Sequence, residues 1–208
     1  MAKKITIAAA AALITLAAAA CLGSSSVHLR DTVSIIAHKL FSSPLPETIG
    51  SHTVAIIWSI RIPRVLMAFL VGGALSVSGA VVQSVLRNPL ASPYTLGVSS
   101  GAALGAGIII ITGLTVPFLG MYLLPFTGLI FGIVIVVAAI AFASRVDRTL
   151  STNTIILSGL VFSLFVGAML TLLARLNRES IERIALWHLG TFASRGFSHI
   201  GGILPFLV

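Results

Sequence analysis

Charge is what this sequence has least of. Only 9% of its 208 residues are charged, and 5 acidic side chains stand against 13 lysines and arginines. A water-soluble domain carries roughly 25% charged residues, so the polar coat of a soluble globule is missing. The single cysteine, Cys21, excludes an internal disulfide, and no Cys/His spacing has the form of a metal site. There is no Gly-x-x-x-x-Gly-Lys-Ser/Thr loop to cradle nucleotide phosphates, so the chain is not expected to hydrolyse ATP itself. His-Glu-x-x-His and Gly-x-Ser-x-Gly are absent as well. No catalytic residue, cofactor or metal is therefore expected. His28, His38, His52, His188 and His199 fall in predicted loops. The apolar runs hold almost no ionisable groups, which argues against a proton-driven carrier and an intramembrane enzyme, since both need titratable side chains within the spans. A net charge of +8 would point to nucleic acid in a soluble protein. Here the cations sit in short loops without a basic helix or aromatic-interleaved patch, so no nucleic-acid partner is expected.

What is present is apolar sequence in long runs, 57% of the chain. About 18 apolar residues suffice to cross the hydrocarbon core as a helix, and a helix satisfies its backbone hydrogen bonds within one segment. The alternation of a membrane barrel is missing. The expected fold is all-α, a polytopic transmembrane helix bundle in one domain over residues 1–208. Its spans are expected at 5–22, 65–86, 96–111, 121–143 and 155–174, with the start of a sixth at 201–208. The first run follows Lys3 and Lys4 and resembles a signal peptide. A lipoprotein signal carries a large aliphatic residue three positions before its cysteine, and Ala18 stands there, so the run reads as an uncleaved helix. Residues 33–40 are expected to form a short interfacial helix, broken by Pro44 and Pro46. Residues 54–60 are too short to span and are expected at the membrane surface. Residues 175–195 read as a polar connection containing Trp187. Eight residues from 201 to 208 reach only about 12 Å as helix, so the end reads as a truncation.

Small residues recur at helical spacing: Ala68, Gly72, Ser76 and Ala80; Gly97, Gly101 and Gly105; Gly128 and Gly132. In lipid, such faces let helix backbones approach closely. Between them lie the more specific strings. Arg61-Ile-Pro-Arg64 is followed by Gly72-Gly-Ala-Leu75, Ser78-Gly-Ala80 and Gln83. Then come Arg87-Asn-Pro-Leu-Ala91, Pro93 and Leu96-Gly-Val-Ser-Ser-Gly-Ala102, and further on Ile155-Ile-Leu-Ser-Gly159 and Leu186-Trp-His-Leu-Gly190. Pro63 suits a helix start. Asn88-Pro89 ends a helix. Gln83 reads as a buried polar group that needs a partner.

This order of elements, over roughly residues 55–205, closely resembles the permeases that import iron–siderophores, haem and cobalamin through ATP-binding cassette transporters (FecCD-like permeases). The resemblance implies a ten-span fold of which this chain holds about half. It implies no enzyme activity and three protein partners: an ATP-binding subunit in the cytoplasm, an extracytoplasmic substrate-binding protein and a second permease subunit, identical or not. Membrane lipid is the remaining partner. It places the chain in a bacterial plasma (inner) membrane with the N-terminus in the cytoplasm. It assigns Arg61 and Arg64 to docking of the binding protein, and Gly72, Gly79, Gln83, Arg87, Asn88, Pro89, Gly97 and Gly101 to family motif and helix packing. Ser158, Ser163 and Gly167 would help to line the translocation path. The segment that couples to the ATPase follows the sixth helix in this family, so the chain stops before it. A non-transporting truncated fragment of such a permease is the alternative expectation. The charges oppose the implied orientation. Five cations (Lys3, Lys4, Arg87, Arg145, Arg148) would be inside and eight (Arg30, Lys39, Arg61, Arg64, Arg175, Arg178, Arg183, Arg195) outside, against the usual positive-inside bias.

Overall fold

The computed structural model describes residues 2–23, 27–193 and 195–204. Among these, all regular structure is helical. The chain divides into two compact units, Met1–Ala74 with Phe192–Val208, and Leu75–Thr191. Among the described residues, four helical stretches are long and apolar enough to cross a membrane: Lys3–Cys21, Ser51–Leu86, Gly120–Val146 and Thr152–Leu176. A shorter apolar helix covers Val98–Thr112.

In the first unit, α1 (Ala2–Cys21) is followed by α2 (Leu29–Phe41) and α3 (Ser51–Ala55). A π-helical segment, Ile56–Arg61, then joins α3 to α4 (Ile62–Leu86) without a break. Residues 54–60 are therefore not a separate surface segment. They are the opening turns of a 36-residue helical stretch. Pro63 explains the wider turn. Proline has no N–H to donate, and in a regular α-helix its ring presses on the carbonyl four residues back. A π-turn opens the helix at that point, and the N–H of Ile62 reaches back five residues to the carbonyl of Ile57. Pro63 thus sits inside a helix and not at its start. Ile35 of α2, Ile49 and Ile57 form a small buried cluster, packed around by Val27, Leu45, Val54 and Ile62. Trp58 packs against Phe197 of α9 (Phe197–Ile203), with ring centroids 5.2 Å apart and the planes tilted by 42°.

In the second unit, α5 (Val98–Thr112) packs on α6 (Leu123–Val146) and on α7 (Thr152–Leu176). Pro125 is tolerated in the first turn of α6, where N–H groups have no helical acceptor. Residues 175–195, expected as a polar connection, contain a short 3₁₀ turn and an amphipathic helix, α8 (Ile181–Leu189), whose Ile184 is buried. His38, His52, His188 and His199 accordingly lie on helices and not in loops. The expected sixth span at 201–208 falls partly on residues 205–208, which lie outside the described residues.

Candidate functional site: the motif-bearing turns and the Arg61 clamp

The first motif cluster is the end of α4. Arg87 has φ +47, the left-handed conformation that closes many helices. Its N–H meets the carbonyl of Ser84 at 3.4 Å, and the N–H of Asn88 meets that of Gln83 at 3.1 Å. This paired ending satisfies the last carbonyls of the helix. Asn88 Oδ1 then accepts the N–H of Leu90 at 2.9 Å, and Gln83 Nε2 donates to the carbonyl of Pro89 at 3.0 Å. Gln83 is thus not a buried group in mid-span. It is exposed and ties down the turn that follows its own helix.

The chain next makes a reciprocal Ser92–Thr95 turn. The N–H of Ser92 donates to Thr95 Oγ1 at 3.0 Å, and Thr95 Oγ1 donates to the carbonyl of Ser92 at 2.8 Å. Ala91 is buried. The turn ends at Gly97, whose φ of +89 demands glycine. This loop seats on α7. A Cβ added to Gly159 would lie 2.5 Å from the Thr95 carbonyl oxygen and 2.8 Å from Leu96 Cα. The strings at 87–97 and 155–159, some sixty residues apart in sequence, therefore meet at one end of this unit. Thr152 Oγ1 adds a 2.9 Å bond to the carbonyl of Leu86, pinning the start of α7 to the end of α4.

Asp147 organises the neighbouring turn. Its carboxylate accepts the N–H and hydroxyl of Thr149 (2.9 and 2.6 Å), the N–H of Ser151 (3.0 Å) and the hydroxyl of Thr154 (3.2 Å). These donors, led by the Thr149 hydroxyl and followed by Ser151, hold its carboxyl far below the ordinary carboxylate range.

The glycine stripes on α5 and α6 face one another. A Cβ on Gly101 would lie 2.6 Å from the Phe131 carbonyl oxygen and 3.0 Å from Gly132 Cα. One on Gly105 would lie 2.7 Å from the Thr127 carbonyl oxygen. The two helices therefore touch backbone to backbone. Beside this seam, Val98, Ala102, Gly128, Gly132 and Trp187 border an apolar groove of about 370 Å³. By contrast, a Cβ on Gly72 or Gly79 of α4 meets no atom within 4 Å.

Ser158, Ser163 and Gly167 divide. Ser158 is only 4% exposed. Ser163 bonds back to the carbonyl of Gly159 at 2.9 Å, and its oxygen would lie 3.2 Å from a Cβ on Gly97. Ser158 is thus buried, and Ser163 lies where α7 meets the Gly97 end of the 92–97 turn. Gly167 adjoins open space.

The second cluster lies in the first unit. Arg61 was expected on an exposed docking face. It is instead 7% exposed. Its Nη1 donates to the carbonyl of Cys21 at 2.8 Å and reaches that of Ala20 at 3.5 Å. A cation is favoured at a helix C-terminus, where unpaired carbonyls concentrate negative charge. The guanidinium lies so close to Gly23 that a Cβ there would be 2.6 Å from Nη2. Arg61 therefore clamps the end of α1. Arg64 is exposed. Together with Ala19, Leu22, Gly23 and Ile60, the two arginines border a cavity of about 270 Å³. Arg61's burial was not legible in sequence, because its acceptors lie forty residues away. Among the described residues, no group of three or more His, Cys, Asp or Glu is placed to hold a metal ion.

This helical arrangement is similar to a solved transporter, described as of metal-chelate type and in an inward-facing conformation. The TM-score is 0.76 and the identity 25%, over 100% of this chain and 59% of that one. A family profile described as the FecCD transport family matches residues 11–208. Among curated proteins, the chain is 36% identical over 186 residues to the uncharacterised ABC transporter permease YvrB of Bacillus subtilis, covering 89% of this chain and 52% of that protein. It is 32% identical over 168 residues to the cobalamin import permease BtuC of Halobacterium salinarum, covering 81% and 44%. It is 35% identical over 144 residues to the hemin transport permease HmuU of Yersinia pestis, covering 68% and 43%. The chain thus spans about half, or less, of the length of these relatives.

Proposed function

We propose, from the premise that this chain belongs to the FecCD transport family, that it serves as membrane-spanning permease sequence in an ATP-driven importer of metal chelates of the siderophore, haem or cobalamin class. The observation that carries this reading is the family match over residues 11–208, with its motif strings gathered into the turns at 87–97 and the start of α7. Transport is the activity, and no chemistry on the cargo is required of this chain. The cargo arrives already chelated, so ligating side chains are not needed along the helices.

In this reading the N-terminus is cytoplasmic, in a bacterial inner membrane. Arg87, Arg145 and Arg148 then face the cytoplasm, where the ATP-binding subunits act. The Arg61–Arg64 end faces outward, where a substrate-binding protein delivers its cargo. A second permease subunit completes the path, and Gly167 remains a candidate for its lining. Arg64 takes the docking role alone, because an exposed guanidinium presents a planar fork to a partner's carboxylate. Arg61 ties the end of α1 to the helical stretch on which Arg64 stands. Binding of the loaded protein biases one state of an access equilibrium, and the ATPase drives the return.

The test is co-purification of the family-length permease with its ATP-binding subunit, followed by ATPase assays with and without the loaded binding protein. Stimulation by the loaded protein is expected, and Arg64→Glu is expected to weaken it. A permease that neither retains an ATP-binding subunit nor responds to any binding protein overturns the proposal.

A further inference from the structure

We infer that α2 is an in-plane membrane helix, and that its apolar face, exposed at Leu29, Val33 and Leu40 and half-buried at Ile36, docks into the headgroup–acyl boundary of a phospholipid leaflet. The inference rests on the first unit alone and does not depend on what is transported.

The depth of α2 follows from the elements that hold it. The apolar stretch of α1, Lys3–Cys21, has 19 residues, about 28 Å of helix at 1.5 Å per residue, close to the roughly 30 Å of a hydrocarbon core. Its end at Cys21 therefore marks the edge of that core. Arg61 is bonded to the Cys21 carbonyl and lies at the same level. The buried face of α2 rests on Ile57 through Ile35. Ile57 precedes Arg61 by four residues, or about 6 Å of helix. The headgroup layer is about 5–7 Å thick on each side. That contact therefore holds α2 at headgroup depth.

The faces of α2 agree with this position. At 100° per residue, Leu29, Val33, Ile36 and Leu40 share an arc of about 60°. Thr32 and Ile35, the residues that pack on the protein, point to a different quadrant and are buried. Leu29, Val33 and Leu40 are 58%, 56% and 61% exposed. Water is a poor cover for such a stripe, at roughly 25 cal/mol per Å² of apolar surface. Arg30 and Lys39 stand about 90° to either side of the stripe, and both are exposed. Asp31 and His38 lie opposite it. An apolar face flanked by cations, with its acid turned away, is the pattern of a helix lying in an interface, where the cations reach headgroup phosphates. This face of α2 fits a phospholipid surface better than a protein partner because its depth leaves it among headgroups.

The test uses the whole 208-residue chain in phosphatidylethanolamine–phosphatidylglycerol vesicles. A Cys21→Ala background keeps the carbonyl that Arg61 uses. Val33→Cys, Leu40→Cys and, as the opposite face, Asp31→Cys are each labelled with an environment-sensitive fluorophore. Quenching is read with a lipid carrying a shallow nitroxide and with aqueous iodide. Labels at positions 33 and 40 are expected to be quenched several-fold more by the lipid nitroxide than the label at 31, with the order reversed for iodide. Equal iodide access at 31 and 33 overturns the inference, because the stripe then lies in water. Shielding of the label at 33 from both quenchers also overturns it, because another protein surface then covers the stripe.

Discussion

Replacing Gly101 by alanine tests the α5–α6 seam directly. The added Cβ would lie 2.6 Å from the Phe131 carbonyl oxygen, 2.9 Å from Ile135 Cγ1 and 3.0 Å from Gly132 Cα. Two of these three neighbours are backbone, so rotamer changes cannot relieve the crowding and the helices must separate. Overpacking of this kind costs about 1–3 kcal/mol. Alanine also gains about 0.8–1.0 kcal/mol over glycine from helix propensity, which would mask part of the loss. Gly73→Ala supplies the reference, because it carries the same propensity gain and its Cβ meets nothing within 4 Å. The difference between the two variants isolates the steric cost. It should be about 1–3 kcal/mol, or roughly 5- to 150-fold in the unfolding equilibrium. The assay is loss of helical circular dichroism in mild detergent titrated with a denaturing one. Gly101→Ala within about 0.5 kcal/mol of Gly73→Ala, the scatter expected of an uncrowded site, would refute a backbone-to-backbone seam.

Three other outcomes follow from the same geometry. Arg61→Met should lower stability by about 1.5–3 kcal/mol, the range for hydrogen bonds to charged groups, and should raise amide exchange at the end of α1; Arg64→Met, an exposed change, should stay within about 0.5 kcal/mol. Thr152→Val removes the bond to the Leu86 carbonyl and should cost about 1 kcal/mol, read as faster exchange in the first turn of α7. Asp147 has a lowered carboxyl, so its contribution is fully present above the ordinary value of 3.8 and drains away as pH falls through the lowered one. Protection of the Thr149 and Ser151 amides should therefore be flat from neutral pH down to about that value, and Asp147→Asn should reduce it throughout.

Much of the fold was legible because lipid restricts the options. Long apolar runs with few charges leave a helix as the economical way to satisfy the backbone, and the small-residue spacing on α5 and α6 marked the faces that meet. What escaped reading depends on contacts distant in sequence or on departures from regular geometry. The π-segment before Pro63 turned a supposed surface stretch into continuous helix, because a proline within a helical run reads first as a helix start. Residues 175–195 looked like a connection because their charges hide the short period that buries Ile184. The motif strings were visible, but their meeting was not: Thr95 and Leu96 against Gly159 is a tertiary contact. Arg61 shows the same difficulty at the site itself, since an arginine near a membrane edge reads as a docking group and nothing local in the sequence points to the end of α1. Its bond to the Cys21 carbonyl is what shows the clamp in this structure.

The central claim, import of a metal chelate, is tested most directly by uptake. Cells lacking the locus and cells with it restored would be given radiolabelled ferric hydroxamate, haemin and cobalamin in separate assays. Restoration is expected to recover energy-dependent accumulation of at least one of the three, and Arg64→Glu is expected to reduce that recovery. Identical accumulation of all three with and without the locus would contradict the account.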